Sequence, residues 1–192
     1  MTYTIFTVLV LVVAGLAWWY WQRGAHPMPD MLKPGKPLPL FITTTEDGER
    51  IDSSVLEGAP AVILFVRGSW CPFCSAQVKN LTKYYKDIVD LGARLVFVTP
   101  KPLETTRRVA AMFDVDFEFW LDEDLAVARA LKLLHSGGVP GAQKDQYGSD
   151  TVWATALVID ASGTIRFTEL SKHIVDRPNP KTLLRALKAA TA

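Results

Sequence analysis

The chain has two cysteines, Cys71 and Cys74, three apart in the run Ile63-Leu64-Phe65-Val66-Arg67-Gly68-Ser69-Trp70-Cys71-Pro72-Phe73-Cys74. Two thiols at that spacing can cycle between dithiol and disulfide with little backbone movement. The residues before them, Ala61 to Val66, are an unbroken apolar run. Those after them place Val78, Leu81, Tyr84, Tyr85 and Ile88 at intervals of three and four, with Gly92 just past the end. The pair therefore stands where a buried strand gives way to an amphipathic helix. A helix N-terminus offers unpaired N–H groups and a positive dipole end, which lower a thiol pKa, and the thiolate is the reactive form. Cys71 is expected at that terminus, exposed, with Cys74 nearly one turn further on the same face. Pro72 suits the first helical turn, where its missing N–H would have no helical partner.

Other uses of two cysteines fit less well. A structural disulfide stabilises by closing a long loop, and this loop is very short. A structural zinc ion takes four Cys or His ligands, and only His26, His135 and His173 remain, none paired at a ligand spacing. Haem attachment wants a histidine after the second cysteine, where Ser75 stands. No metal or other cofactor is called for. Arg67, four residues before Cys71, is either an electrostatic stabiliser of the thiolate or a solvated strand-end charge. Trp70 is placed to shield the site. His135 and His173 are expected to be surface or packing residues, and Asp122, Glu123, Asp124 and Asp160 turn and helix-start residues.

The elements that position the pair follow from pattern. Leu38 to Thr43 and Arg50 to Ile51 flank the turn Glu46-Asp47-Gly48 as a hairpin, and Ala61 to Val66 reads as a central strand. One helix is expected from Cys71 to Ile88. A strand follows at Arg94 to Val98, a helix at Glu104 to Phe113, an edge strand at Phe117 to Trp120 and a helix at Asp122 to Leu134. A long irregular segment then runs to a hairpin of Ala156 to Asp160 and Thr164 to Thr168, and Lys181 to Ala190 closes the chain as a helix. Such alternation predicts an α/β domain with a mostly parallel sheet, helices on both faces and an antiparallel C-terminal hairpin. The thiols sit at the carboxyl end of a central strand, where open α/β sheets place their sites.

With 192 residues, 49% hydrophobic and 21% charged, the chain can build one well-cored domain and a small appendage. Its formal charge of +1, without Lys/Arg clusters interleaved with aromatics, speaks against nucleic acid as a partner. Residues 1–22 read as a transmembrane anchor. No charge occurs from Tyr3 to Trp21, and Trp18, Trp19, Tyr20 and Trp21 followed by Arg23 form an aromatic belt with a charged stop. A cleaved signal peptide would carry a basic start and a small-residue cleavage site, and neither is present. Residues 23–37, rich in Pro and Gly, read as a semi-extended linker, and residues 38–192 as the redox domain. Arg23, Lys33 and Lys36 lie after the helix and no Lys or Arg before it, which would set the domain in the cytoplasm. By analogy, such anchors display CxxC domains outside the cytoplasm, so the two arguments collide.

Over roughly residues 33–190 the chain resembles thioredoxin-fold proteins, and more closely the alkyl hydroperoxide reductase and thiol-specific antioxidant (AhpC/TSA, peroxiredoxin-like) family of redoxins. Arg67 to Cys74 carries most of the resemblance, supported by Val98-Thr99-Pro100, Asp122 to Leu134 and Val158 to Gly163. The resemblance implies a thioredoxin-like fold, with Cys71 as the attacking and Cys74 as the resolving thiol. It also makes Trp153, Ala154 and Thr155 the candidate substrate edge, although Trp153 alternatively serves the core. The chain departs from the family where peroxiredoxins set a Thr or Ser three residues before the attacking cysteine and bring in an arginine from a neighbouring strand. It also lacks the proline that thioredoxins place before the strand equivalent to Ala156 to Ile159. The leading function is a membrane-anchored thiol-disulfide oxidoreductase in redox homeostasis, exchanging with a thiol or disulfide protein partner. Peroxide reduction, an antioxidant activity, is the alternative, and a tethered binding or redox-sensing module is the third reading.

Overall fold

The computed structural model describes residues 2–23, 26–101 and 117–191, with the side chains of the first helix described from 5 to 19. That helix, α1 (Thr2–Arg23), leaves Ile5, Leu9, Leu11 and Leu16 exposed. Among the described residues, no helix is long and apolar enough to cross a membrane. The expected transmembrane anchor is thus not established by the structure.

The hairpin expected near the N-terminus is β1 (Ile42–Thr45) with β2 (Arg50–Asp52). Then come β3 (Ala61–Phe65), β4 (Arg94–Thr99), β5 (Glu118–Leu121), a short pair β6 (Leu134–His135) and β7 (Thr151–Val152), and the hairpin β8 (Thr155–Ile159) and β9 (Ile165–Leu170). The main sheet runs β2-β1-β5-β4-β3-β8-β9. Only β3 with β4 and β4 with β5 are parallel; the other four pairings are antiparallel. The sheet is therefore mixed rather than mostly parallel, because an antiparallel hairpin closes each side of a three-strand parallel centre.

The β5 strand is interior, not an edge as its alternation suggested. The β1–β2 hairpin docks on it, with Thr44 opposite Leu121 and Thr45 opposite Trp120. Its side chains serve both layers: Trp120 joins the core with Ile63, Phe65, Val96 and Leu157, and Phe119 the core with Val62, Leu64, Phe97 and Val158. That two-sided burial explains the continuous apolar run of β3.

The helix expected from Cys71 to Ile88 is two helices, α2 (Pro72–Thr82) and α3 (Tyr85–Val89). The break at Tyr84 turns Tyr85 edge-on to Phe117 at 5.5 Å. The buried stripe of α2, Cys74, Gln77, Val78 and Leu81, follows the i, i+3, i+4, i+7 pattern and lies on the sheet. Burying Val78 and Leu81 contributes about 1.5–3 kcal/mol each. The helix expected over Asp122 to Leu134 shrinks to α4 (Ala126–Ala130). At its start the Asp122 carboxylate accepts from the Val127 and Ala128 amides, both at 2.9 Å, and Leu125 is left-handed at φ 58°. At its end Lys132 takes φ 58° where glycine usually stands, with Leu133 N–H bonded to Ala128 O at 2.7 Å and Lys132 N–H to Arg129 O at 3.0 Å. This is a Schellman closure that a search for glycine does not find. The segment between β6 and β7 holds a 3-10 turn and the short helix α5 (Lys144–Tyr147), and the chain ends in α6 (Pro180–Thr191). The helix expected at Glu104 to Phe113 lies outside the described residues.

The Pro/Gly-rich stretch is packed from residue 26 onward rather than a free spacer. Leu32 is fully buried, Thr168 donates its hydroxyl to Leu32 O, and Gly35 and Ile165 exchange backbone bonds with residues 165 and 36.

Candidate active site

The strand β3 ends at Phe65, and Val66 prolongs it with one more bond, to Val98 O at 2.9 Å. Gly68 then takes φ +124°, and a Cβ there would meet the Trp70 ring at 3.1–3.2 Å, so the tight turn into α2 needs glycine. Cys71 is the N-cap residue of α2, and Pro72 opens the helix. The turn brings both cysteines under cover: both are reduced, Cys71 is 1% exposed and Cys74 2%. The exposure expected of Cys71 is not observed. The segment between β9 and α6 folds over the helix start and covers it.

That segment supplies the residue the sequence did not reveal. Arg177 Nη2 donates to Cys71 Sγ at 3.3 Å and to Cys74 Sγ at 3.0 Å. Its Nη1 is held by Ile174 O and Asp176 O, while Asp176 accepts from His173 N–H and its own carbonyl from Ser171 Oγ. Nothing in the spacing places Arg177 near Cys71, since 106 residues separate them. The one local signal is Asp176-Arg177-Pro178-Asn179-Pro180: two prolines stiffen the arm, and Asn179 caps α6 by accepting from Lys181 N–H at 2.9 Å.

Arg67 is not a solvated strand-end charge. It is 2% exposed, its guanidinium lies 4.9 Å from the Trp70 ring centre, and Nη2 donates to Gly138 O at 2.6 Å and faces His135 Nδ1 at 3.4 Å. Its backbone N–H points at Cys74 Sγ at 3.4 Å, and its carbonyl accepts from Thr151 Oγ1 at 2.8 Å. Gly138 is the second glycine with a steric reason: an added Cβ would fall 2.7–2.9 Å from the His135 ring and the Thr151 methyl. The irregular 135–151 segment is thus the cradle of Arg67.

Trp153 lies parallel between two histidines, with His135 at 4.0 Å and His26 at 5.4 Å between ring centres. It is half-buried against the core of the β3 face that includes Phe65. The backbone of the candidate substrate edge is already paired: Trp153 N–H with Leu133 O, Ala154 O with Ser171 N–H, and Thr155 opposite Phe65. His173 lies on the covering segment. Asp160 closes the β8–β9 turn, accepting from Ser162 and Thr164 amides.

The electrostatics separate the two thiols. Cys71 is pulled down to about 5 from the ordinary 9.0, first by the Cys74 thiol donating to it, then by the Cys74 amide, Arg177 and Arg67, against the cost of burial. Cys74 is pushed up well above 9.0 by the proton it shares with Cys71 and by burial. Arg177 reaches both sulfurs and so favours one thiolate in the pair; the helix terminus makes it Cys71. His135 is held down to about 4, by burial first and by Arg67 next, and so faces Arg67 as a neutral ring. Among the described residues no group of His, Cys, Asp and Glu could hold a metal ion.

Comparison with known proteins adds three findings. The sequence model of the AhpC/TSA family matches residues 34–168. Among curated proteins, the chain is 28% identical over 166 residues to the thiol:disulfide interchange protein DsbE of Tatumella citrea, covering 83% of this chain and 80% of that one. DsbE of Escherichia coli K12 is 27% identical over 165 residues, covering 83% and 79%. Among solved structures, peroxidoxin BcpB from Mycobacterium tuberculosis aligns with a TM-score of 0.65 at 19% identity over 82% of this chain and 97% of that one. AhpC of Enterococcus faecalis aligns at 0.63 and 15%, over 81% and 90%. At those identities the structural likeness establishes a shared fold.

Proposed function

The chain belongs to the AhpC/TSA family and is an oxidoreductase, and on that premise we propose that it is a thiol-disulfide oxidoreductase in which Cys71 attacks and Cys74 resolves. The observation that carries the reading is Arg177 Nη2 seated on both sulfurs. A guanidinium there stabilises whichever sulfur holds the negative charge as it moves through the cycle. The Cys71 thiolate displaces one sulfur of a substrate disulfide; that S–S bond breaks, a Cys71–substrate disulfide forms, and the departing thiolate takes a proton from water. The Cys74 thiol then gives up its proton and attacks Cys71 Sγ, releasing the second substrate thiolate and leaving the Cys71–Cys74 disulfide. A dithiol partner protein returns two electrons.

Cys74→Ser should trap the Cys71–substrate disulfide, visible as a mass increase on incubation with a disulfide substrate. Cys71→Ser should trap nothing. Adduct formation in Cys71→Ser would refute the assignment of the attacking thiol.

Peroxide reduction is the second reading, favoured by the depth of the thiols. At 1% and 2% exposure they sit behind a covering segment that a small hydroperoxide passes more readily than a folded partner. In that case the thiolate attacks the peroxide, the O–O bond breaks to give an alcohol and Cys71 sulfenic acid, and Cys74 condenses with it, releasing water. Stopped-flow oxidation of the reduced chain by hydrogen peroxide and by a disulfide, followed by tryptophan fluorescence, ranks the two. A much faster peroxide reaction makes the chain a peroxidase.

The apolar residues exposed all round α1 support a membrane tether for the redox unit. The full chain is then expected to stay with membranes through an alkaline carbonate wash; release into the wash would refute the tether. The unit itself extends from residue 26, where the packed stretch begins, rather than from 38.

A further inference from the structure

The guanidinium groups around the thiols carry more donors than the thiols use. Arg67 is 2% exposed, yet among the described residues its Nε and Nη1 have no hydrogen-bond partner, and the buried Nε of Arg177 has none either. None of the ion pairs among the described residues involves either group. Buried, unpaired, charged donors are costly, and a native structure keeps them for a reason. The charge count points the same way. The buried Arg67, the half-buried Arg177 and the N-terminus of the eleven-residue α2 face one anion, the Cys71 thiolate. The nearest carboxylate on the covering segment, Asp176, is engaged with the His173 amide. Beside Arg177 a groove of about 330 Å³, lined by Phe73, Gln77, Val175 and Asn179, leads out to the surface.

We propose that the site is built to receive a negatively charged substrate group, a carboxylate or oxyanion carried next to the atom that Cys71 attacks, held by the unused N–H donors of Arg67 and Arg177. The inference rests on the reading of Cys71 as the attacking thiol. Each guanidinium presents a planar fork matched to two oxygens of one anion, and each has part of that fork unoccupied. A neutral substrate would leave those donors unpaired in the closed complex; an anionic one satisfies them. Selection is thus expected for acidic disulfides or peroxides over neutral or basic ones of the same size.

The test uses the reduced full chain and two alkylating probes of nearly equal size, anionic iodoacetate and neutral iodoacetamide, with glutathione as the reference thiol. Because both probes draw on the same thiolate, their rate ratio does not depend on the thiolate fraction. The iodoacetate-to-iodoacetamide ratio at Cys71 is expected to exceed that of glutathione by about tenfold, the size of a partly screened charge contact. Arg67→Met should bring the ratio back toward that of glutathione, and Arg177→Met serves if the first variant does not fold. A wild-type ratio at or below that of glutathione overturns the proposal. Failure of the oxidoreductase reading would be seen separately, as absence of disulfide exchange, and leaves the alkylation ratio readable.

Discussion

Removing the charge of Arg177 should move the titration of Cys71 and with it the redox properties of the pair. Cys71 titrates at about 5 against an ordinary 9.0, which at about 1.36 kcal/mol per unit is about 5 kcal/mol of preference for the thiolate. The Cys74 thiol, the Cys74 amide, Arg177 and Arg67 share that preference. A hydrogen bond to a charged group contributes about 1.5–3 kcal/mol, so Arg177→Met should raise the midpoint by about one to two units. At pH 6 the thiolate fraction would fall from about nine-tenths to between about one-half and one-tenth. Thiolate absorbance in the ultraviolet against pH measures the midpoint, and the iodoacetamide rate at pH 6 reports the same fraction. At pH 7 the less stable thiolate lowers the reduction potential by about 30–50 mV, a factor of ten being about 30 mV for two electrons. Loss of a half-buried cation left unbalanced in the disulfide form pushes the potential in the same direction. A midpoint still near that of wild type in a folded Arg177→Met variant would refute the reasoning, and Arg177→Lys, which keeps the charge but not the fork, should restore part of the shift.

Three further outcomes follow from the same geometry. Because the folded-state value of Cys71 lies below the unfolded one, its contribution is complete above about pH 9 and lost as pH falls through about 5; between pH 7 and 5 the reduced protein should lose about 2 kcal/mol that the disulfide form does not, which paired urea melts of the two forms will show. His135 is likewise depressed, so below about pH 6.5 the unfolded chain takes up a proton that the folded one refuses; His135→Gln should reduce the loss of stability between pH 6.5 and 4, and an unchanged pH profile would count against the buried neutral ring. Gly138→Ala forces a methyl against His135 and Thr151 and should cost about 1–3 kcal/mol in a thermal melt, together with a rise in the Cys71 midpoint as Arg67 loses its seat.

The sequence by itself determined where the two thiols stand and the local frame around them. A continuous apolar strand, a glycine turn and a proline-led helix fix Cys71 at a helix terminus, and these are contacts between residues close in the chain. It also determined the central strand, both hairpins and the last helix, because each has its own period and its own turn residues. What depends on distant residues was decided by tertiary structure. Arg177 approaches Cys71 across 106 residues, and no periodicity records such a meeting. Arg67 reads equally as a thiolate stabiliser and as a strand-end charge, and only the closure of residues 135–151 over it shows it buried. The sheet is mixed, and β5 is interior, because pairing partners are chosen by the whole sheet rather than by the strand. The burial of both thiols is the consequence that matters most for function. Local sequence makes Cys71 acidic, but only the covering segment decides what can reach it.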